Sequence, residues 1–217
     1  MKDETGTRQR IILAALNILN IDGISSITTR RIAEEASVNS AAMNYHFGTK
    51  ENLIDYILDR TLEHAFSEWK MILEIEELDF PVRIYRLLDF TMDVISKYPG
   101  IIRSQLFDPL AKEKTKTAFA EKISSLLDML SAGMDERMPQ SREDLRLSLG
   151  QIFLSTLSAA MVPELFSTIT GDDISASHAR SQFICHILKR FLGLELAMTD
   201  IIRSNIAQVR THAFGTE

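Results

Sequence analysis

The 217-residue sequence has one cysteine, Cys185. No intrachain disulfide can form, and the chain is expected to work in a reducing compartment, the cytoplasm. No apolar run reaches the roughly 18 residues of a membrane-spanning helix. Met1 to Arg10 is polar and lacks the apolar stretch of a signal peptide, so neither membrane insertion nor export is expected. Only five prolines and nine glycines punctuate the chain. No glycine-rich phosphate loop occurs. The five histidines, His46, His64, His178, His186 and His212, show no metal-ligand spacing. Cys185 and His186 are neighbours in an apolar segment, where a structural role is favoured over a nucleophile pair. No cofactor, no metal and no catalytic residue is therefore expected, and an enzyme is disfavoured.

Charge is unevenly placed. The formal net charge is -6, which by itself argues against a nucleic-acid partner. Residues 1–50 nevertheless hold six Lys or Arg against five Asp or Glu, a net +1. The remainder holds the other 18 basic and 25 acidic residues, a net -7. The acid sits almost wholly in the C-terminal part, which permits a DNA-binding head with a few well-placed cations.

What the chain does have is apolar residues at helical spacing nearly throughout, with little strand-type alternation. It reads as all-α. A first helix is expected over about Thr7 to Asn20, with Ile11, Ala15 and Leu19 on one stripe and Gly23 after it. A second is capped by Thr28, with Ile27 and Ile32 spaced as a hydrophobic staple, and ends near Ala36. A third, about Ser40 to His46, follows the capping side chain Asn39, with Val38 and Met43 as its staple. Two capped helices separated by Ser37, Val38 and Asn39 suit a helix-turn-helix, although by pattern alone an ordinary helical hairpin inside a larger bundle is the commoner arrangement. Thr49 caps a fourth helix to about Ile75, followed by the acidic turn Glu74, Glu76, Glu77 and Asp79, read as a solvated loop. Six further helices are expected at about 80–97, 100–108 (ended by Pro109), 112–132, 142–162, 175–192 and 195–211.

In a helix-turn-helix the short third helix enters the major groove. Ser40, Ala41, Asn44 and Tyr45 lie on its expected exposed face, with Met43 and Phe47 toward the core. Asn44 can pair with adenine, and Ala41 or Ala42 can touch a thymine methyl. Arg30 can reach a guanine or a phosphate. Thr28 and Thr29, at a helix N-terminus, suit an anionic oxygen.

Asn44 to Leu53, NYHFGTKENL, carries an aromatic-His-Phe unit, two turn residues, then Lys-Glu and Leu. This resembles the end of the DNA-binding domain in the TetR (tetracycline-repressor) family of regulators. Thr28 to Met43, TTRRIAEEASVNSAAM, resembles that family's second and third helices, and the resemblance covers about residues 8 to 55. Ser37 stands where the family usually has Gly, and Asn44 where many members have Tyr. The resemblance implies that Tyr45, His46 and Lys50 contact phosphates; by packing alone, His46 could equally lie under the fourth helix. It also implies a C-terminal region that dimerises and holds a ligand.

Residues 1–48 are accordingly expected to form the three-helix DNA-binding domain, and 49–217 a larger helical ligand-binding and dimerisation domain. Pattern supports the latter: the 142–162 and 175–192 helices are too apolar for single-sided surface helices. They fit a homodimeric four-helix bundle or the core of one subunit. Candidate ligand contacts are Phe66, Trp69, Phe90, Phe107, Phe119 and Phe153, which suggest a small, largely apolar molecule. The function expected is a repressor, binding double-stranded palindromic operator DNA as a homodimer and released by such an effector. The alternative is a helical adaptor that binds a protein and has lost DNA binding, for which the weak head charge is the only support.

Overall fold

The computed structural model describes residues 4–111, 116–133 and 140–196. Its elements are α1 (Glu4–Asp22), a 3-10 turn (Ile24–Ser26), α2 (Thr29–Glu35), α3 (Ser40–Phe47), α4 (Lys50–Leu73), α5 (Phe80–Lys97), α6 (Pro99–Ala111), α7 (Ala118–Gly133), α8 (Arg142–Met161), α9 (Pro163–Thr170) and α10 (Ser177–Leu192). No described residue lies in a strand, as the helical periodicity implies. No single described helix is long and apolar enough to cross a membrane.

The chain packs as two compact units. The first takes Met1–His64 and Tyr98–Phe119. Its core is built where the apolar periods of α1 to α4 converge: Ile11, Ala15, Ile18 and Leu19 from α1, Ile32 from α2, Met43 from α3, and Leu53 and Ile57 from α4 are all essentially solvent-free. Ile27, ahead of α2, is buried with Ile32, as a staple requires. Each such aliphatic side chain contributes on the order of 1.5–3 kcal/mol of burial. The first unit extends past residue 48: it includes α4 as far as His64 and all of α6. The Gln105 amide on α6 donates to the Leu58 carbonyl and to Thr61 Oγ1, at 3.0 and 3.1 Å.

The second unit takes Ala65–Lys97 and Ala120–Glu217. Here α5, α8 and α10 pack on one another through Leu87, Leu88 and Met92, Leu149, Ile152 and Leu157, and Ile184, Ile187 and Leu188. Two polar ties pin α10 to α5: Tyr85 Oη and Ser181 Oγ lie 2.7 Å apart, and Arg180 Nε donates to Asp89 Oδ1 at 2.8 Å. Burial pushes the Tyr85 phenol up, so it stays protonated and bonded. Arg146 of α8 reaches Ser124 and Asp128 of α7.

The structure departs from the sequence reading at the start of α7, which begins at Ala118 and leaves the described residues 116 and 117 outside a helix, and at two further places. Pro109 does not end α6, which continues to Ala111. A proline this close to the C-terminus removes only one of the last hydrogen bonds and is tolerated. Between α8 and α10 lies an extra short helix, α9, bent 103° from α8. Its signals are Pro163 at the first turn and Gly171 at a left-handed φ of 83°, the usual proline-in, glycine-out asymmetry. The helix expected at 195–211 lies almost wholly outside the described residues.

Candidate nucleic-acid interface

The turn between α2 and α3 sets the geometry of this surface. Thr28 accepts a hydrogen bond from the Arg31 amide at 3.1 Å, starting α2. Beyond the Ala36 cap, the Ser37 amide donates to Glu34 O at 3.2 Å and the Val38 amide to Ala33 O at 2.9 Å. That pair of bonds is a Schellman closure, which needs its first residue past the cap to be left-handed. Ser37 is that residue, at φ 53°, and is the one described non-glycine with positive φ. A side chain there costs about 1–2 kcal/mol relative to glycine. Ser37→Gly is therefore expected to raise stability by about 1 kcal/mol and the melting temperature by roughly 2–4 °C. A thermal melt checks this, and an unchanged or lower midpoint would refute the strain.

The Asn39 side chain accepts from the Ala42 amide at 2.8 Å and starts α3. With that start fixed, Met43 is buried while Ser40, Ala41, Asn44 and Tyr45 face solvent. Tyr45 is 76% exposed, a large aromatic left in water at a helix surface. Gly48, at φ 74°, turns the chain, and the Asn52 amide donates to the last α3 carbonyl, Phe47 O, at 3.1 Å. Asn52 was not singled out from sequence, although its three-residue spacing from the Thr49 cap places it beside that carbonyl.

The expected phosphate contacts have other partners here. Lys50 Nζ donates to Ile27 O at 3.3 Å, which ties the start of α4 to the entry of α2. His46 is half-exposed between two rings, 5.2 Å from Tyr45 and 6.4 Å from Phe47 by centroids. Arg30 is exposed and donates to Glu34 at 2.8 Å, which raises the Arg30 guanidinium further above its ordinary value. Arg31 pairs with Asp22. Thr28 is exposed and Thr29 half-exposed. Arg8 of α1 lies over the rings of Phe47 and Tyr56.

The candidate ligand contacts are more dispersed. Phe66, Trp69 and Phe153 cluster in the second unit, with Trp69 edge-on to Phe66 at 6.3 Å and to Phe153 at 5.8 Å. The indole donates to Thr91 Oγ1 at 3.1 Å. One turn beyond Phe153, the Thr156 hydroxyl is wholly buried with no hydrogen-bond partner among the described residues. Phe90 is half-buried in the same unit, whereas Phe119 belongs to the first unit. The Phe107 side chain lies outside the described residues. Cys185 is half-buried and its thiol is pushed up by that burial, which makes it a poor nucleophile.

Residues 11–57 match the family model described as bacterial regulatory proteins, tetR family. Over 184 residues the chain is 26% identical to the nucleoid occlusion factor SlmA of Shewanella halifaxensis, covering 85% of this chain and 88% of that one. Two solved structures share the fold. The fatty acid degradation regulator FadR from Bacillus halodurans aligns with a TM-score of 0.63 at 16% identity, over 86% of this chain and 95% of that one. AmtR of Mycobacterium smegmatis aligns with a TM-score of 0.60 at 19% identity, over 92% of each. Residues 11–57 are thus similar to the N-terminal domain of tetR-family regulatory proteins, and the chain as a whole shares the fold of these two solved structures.

Proposed function

We propose that the chain is a cytoplasmic, homodimeric repressor that grips a palindromic operator with two copies of α3 and lets go when a small, largely apolar molecule binds its C-terminal part. In this reading residues 1–48 form the DNA-binding domain and 49–217 serve ligand binding and dimerisation. The observation that carries it is the α3 surface: a helix anchored by Met43 that offers Ser40, Ala41, Asn44 and Tyr45 to solvent. Asn44 reads a base edge, Ala41 contacts a thymine methyl, and Tyr45, His46, Lys50, Arg30, Thr28 and Thr29 hold the backbone. Lys50 exchanges a carbonyl, and Arg30 a carboxylate, for a phosphate.

Dimerisation is supported by the second unit. Leu147 and Leu154 stand seven residues apart on α8 and are 64% and 60% exposed. Beside them, an open groove of about 530 Å³ is lined by Leu154, Ala159, Leu165, Phe166, Ile169 and Phe183. A second copy covering this face would bring two reading helices into one molecule, and successive major grooves require such helices about 34–36 Å apart.

In this reading the effector lies against Phe66, Trp69, Phe90 and Phe153, with the Thr156 hydroxyl as the polar group that orients it. Helix α4 runs from Lys50 at the DNA-binding end to Phe66 and Trp69, so a ligand that shifts this helix changes the half-site separation. Coupling of about 1–3 kcal/mol suffices for a useful response. Trp69 is the sole tryptophan, so its fluorescence reports binding directly.

Selection of bound sites from randomised duplex DNA tests the reading. The expected result is an inverted repeat. Lys50→Ala should weaken binding to every sequence and reduce the slope of log K against log salt by about 0.9 per protomer, whereas Asn44→Ala should change the selected bases. Selected sites without twofold symmetry, or an unaltered slope for Lys50→Ala, would overturn it.

The 184-residue similarity to a nucleoid occlusion factor reaches well past the DNA-binding domain and favours a second reading, a nucleoid occlusion factor in place of a promoter repressor. Genome-wide occupancy separates the two: a few promoters support the repressor, and dispersed sites support the second reading.

A further inference from the structure

Arg8 differs from Arg30 and Arg31 of the reading head in how its charge is held. Arg30 and Arg31 are engaged by Glu34 and Asp22. Among the described residues no carboxylate pairs with Arg8. Its guanidinium carbon instead lies 5.1 Å from the centre of the Phe47 ring and 4.6 Å from that of Tyr56, and Nη1 donates to Tyr56 Oη at 3.3 Å. These rings belong to a row: Tyr45, His46, Phe47 and Tyr56 follow one another at centroid separations of 5.2, 6.4 and 5.9 Å. Two members of that row, Tyr45 and His46, are proposed above to touch the DNA backbone.

We propose that Arg8 is a further phosphate-gripping residue of the operator-binding surface, aimed by the Phe47 and Tyr56 rings at the far end of this row from Tyr45. The proposal rests on the operator-binding reading above. A guanidinium stacked on aromatic faces keeps in-plane N–H donors available, here those beyond the one given to Tyr56, and they match the oxygens of a phosphate. Stacking also removes most of the rotamer freedom that a solvated arginine loses on binding. Arg8 is half-exposed, as a residue with this role must be. The position carries no base information, because phosphates are alike at every step.

The test uses the full chain, a duplex selected by the wild-type protein from randomised DNA, and an unrelated duplex of equal length. Affinity is measured across a salt series. Arg8→Ala should lower the salt slope by about 0.9 per protomer on both duplexes, while the preference between them stays constant. Arg8→Lys should restore the slope. Arg8→Gln keeps a donor for Tyr56 without the charge, so it guards against a folding defect and should show the same loss of slope as Arg8→Ala. A merely structural Arg8, gluing α1 to α3 and α4, would lower the melting temperature and leave the slope intact; that result overturns the proposal. Failure of the wild-type chain to bind any duplex would instead sink the operator-binding reading itself.

Discussion

A chain carrying Leu147→Glu and Leu154→Glu is expected to run as a single subunit and to bind its operator at least roughly 100-fold more weakly than wild type, the scale of advantage that linking two binding modules confers. The two leucines share one face of α8 and are largely in water in the single chain. Covering each would contribute about 1.5–3 kcal/mol, and the apolar groove beside them adds Leu165, Phe166 and Ile169. A glutamate at either site would have to shed its hydration to enter such an interface, and that cost exceeds what the leucine contributed. Because both positions are exposed, the fold of the single chain should survive, with its helical circular dichroism unchanged. Light scattering coupled to size exclusion gives the assembly state, and a gel shift gives the affinity. A variant that keeps twice the chain mass and full operator affinity would show that subunits meet elsewhere.

Gly100→Ala should produce the largest loss of stability of any methyl addition in the first unit. Gly100 opens α6 against the end of α1. A Cβ there would sit 2.3 Å from Leu19 O, 2.5 Å from Asn20 O and 2.7 Å from Asn20 Cα. All three are backbone atoms, so no side chain can rotate away. The Gly100 amide also donates to Asn20 Oδ1 at 3.2 Å, a bond that any separation of the helices would stretch. Moving α1 disturbs Ile11, Ala15, Ile18 and Leu19 together. Forced overpacking of this kind costs about 3 kcal/mol, which corresponds to a fall of roughly 6–12 °C in the melting temperature. Gly150→Ala in α8 is the matched control. Its Cβ would meet only Leu127 Cδ1 at 3.7 Å, an ordinary contact. There a helical alanine should stabilise by roughly 0.5–1 kcal/mol. Opposite signs from the same chemical change would isolate close helix approach as the cause, and a Gly100→Ala midpoint within error of wild type would disprove it.

Both positions bear on how far the sequence could be read. The reading head was legible because its signals are local. Thr28, Asn39 and Thr49 each sit next to the amides they cap, and Ile27 with Ile32 lies within one helical turn of the cap. Met43 and Asn44, about 100° apart around α3, fall on its buried and exposed sides by periodicity. The second unit was legible as helices but not as a surface: its apolar residues outnumber those one buried face needs, and periodicity does not say which remain uncovered. Helix α9 escaped because eight residues with three polar threonines and serines carry too short a period, although Pro163 and Gly171 bracket it.

By itself the sequence determined the all-helical class, the three-helix head and which side of α3 meets solvent, since those depend on neighbours within about one turn. Only the folded chain decided that Gly100 must carry no side chain, that Arg8 rests on two rings, and that Leu147 and Leu154 stay in water. Asn20 and Gly100 are 80 residues apart and Arg8 and Tyr56 are 48 apart. Contacts at that separation leave no local pattern, because each partner satisfies its own helix equally well whether or not the other is near.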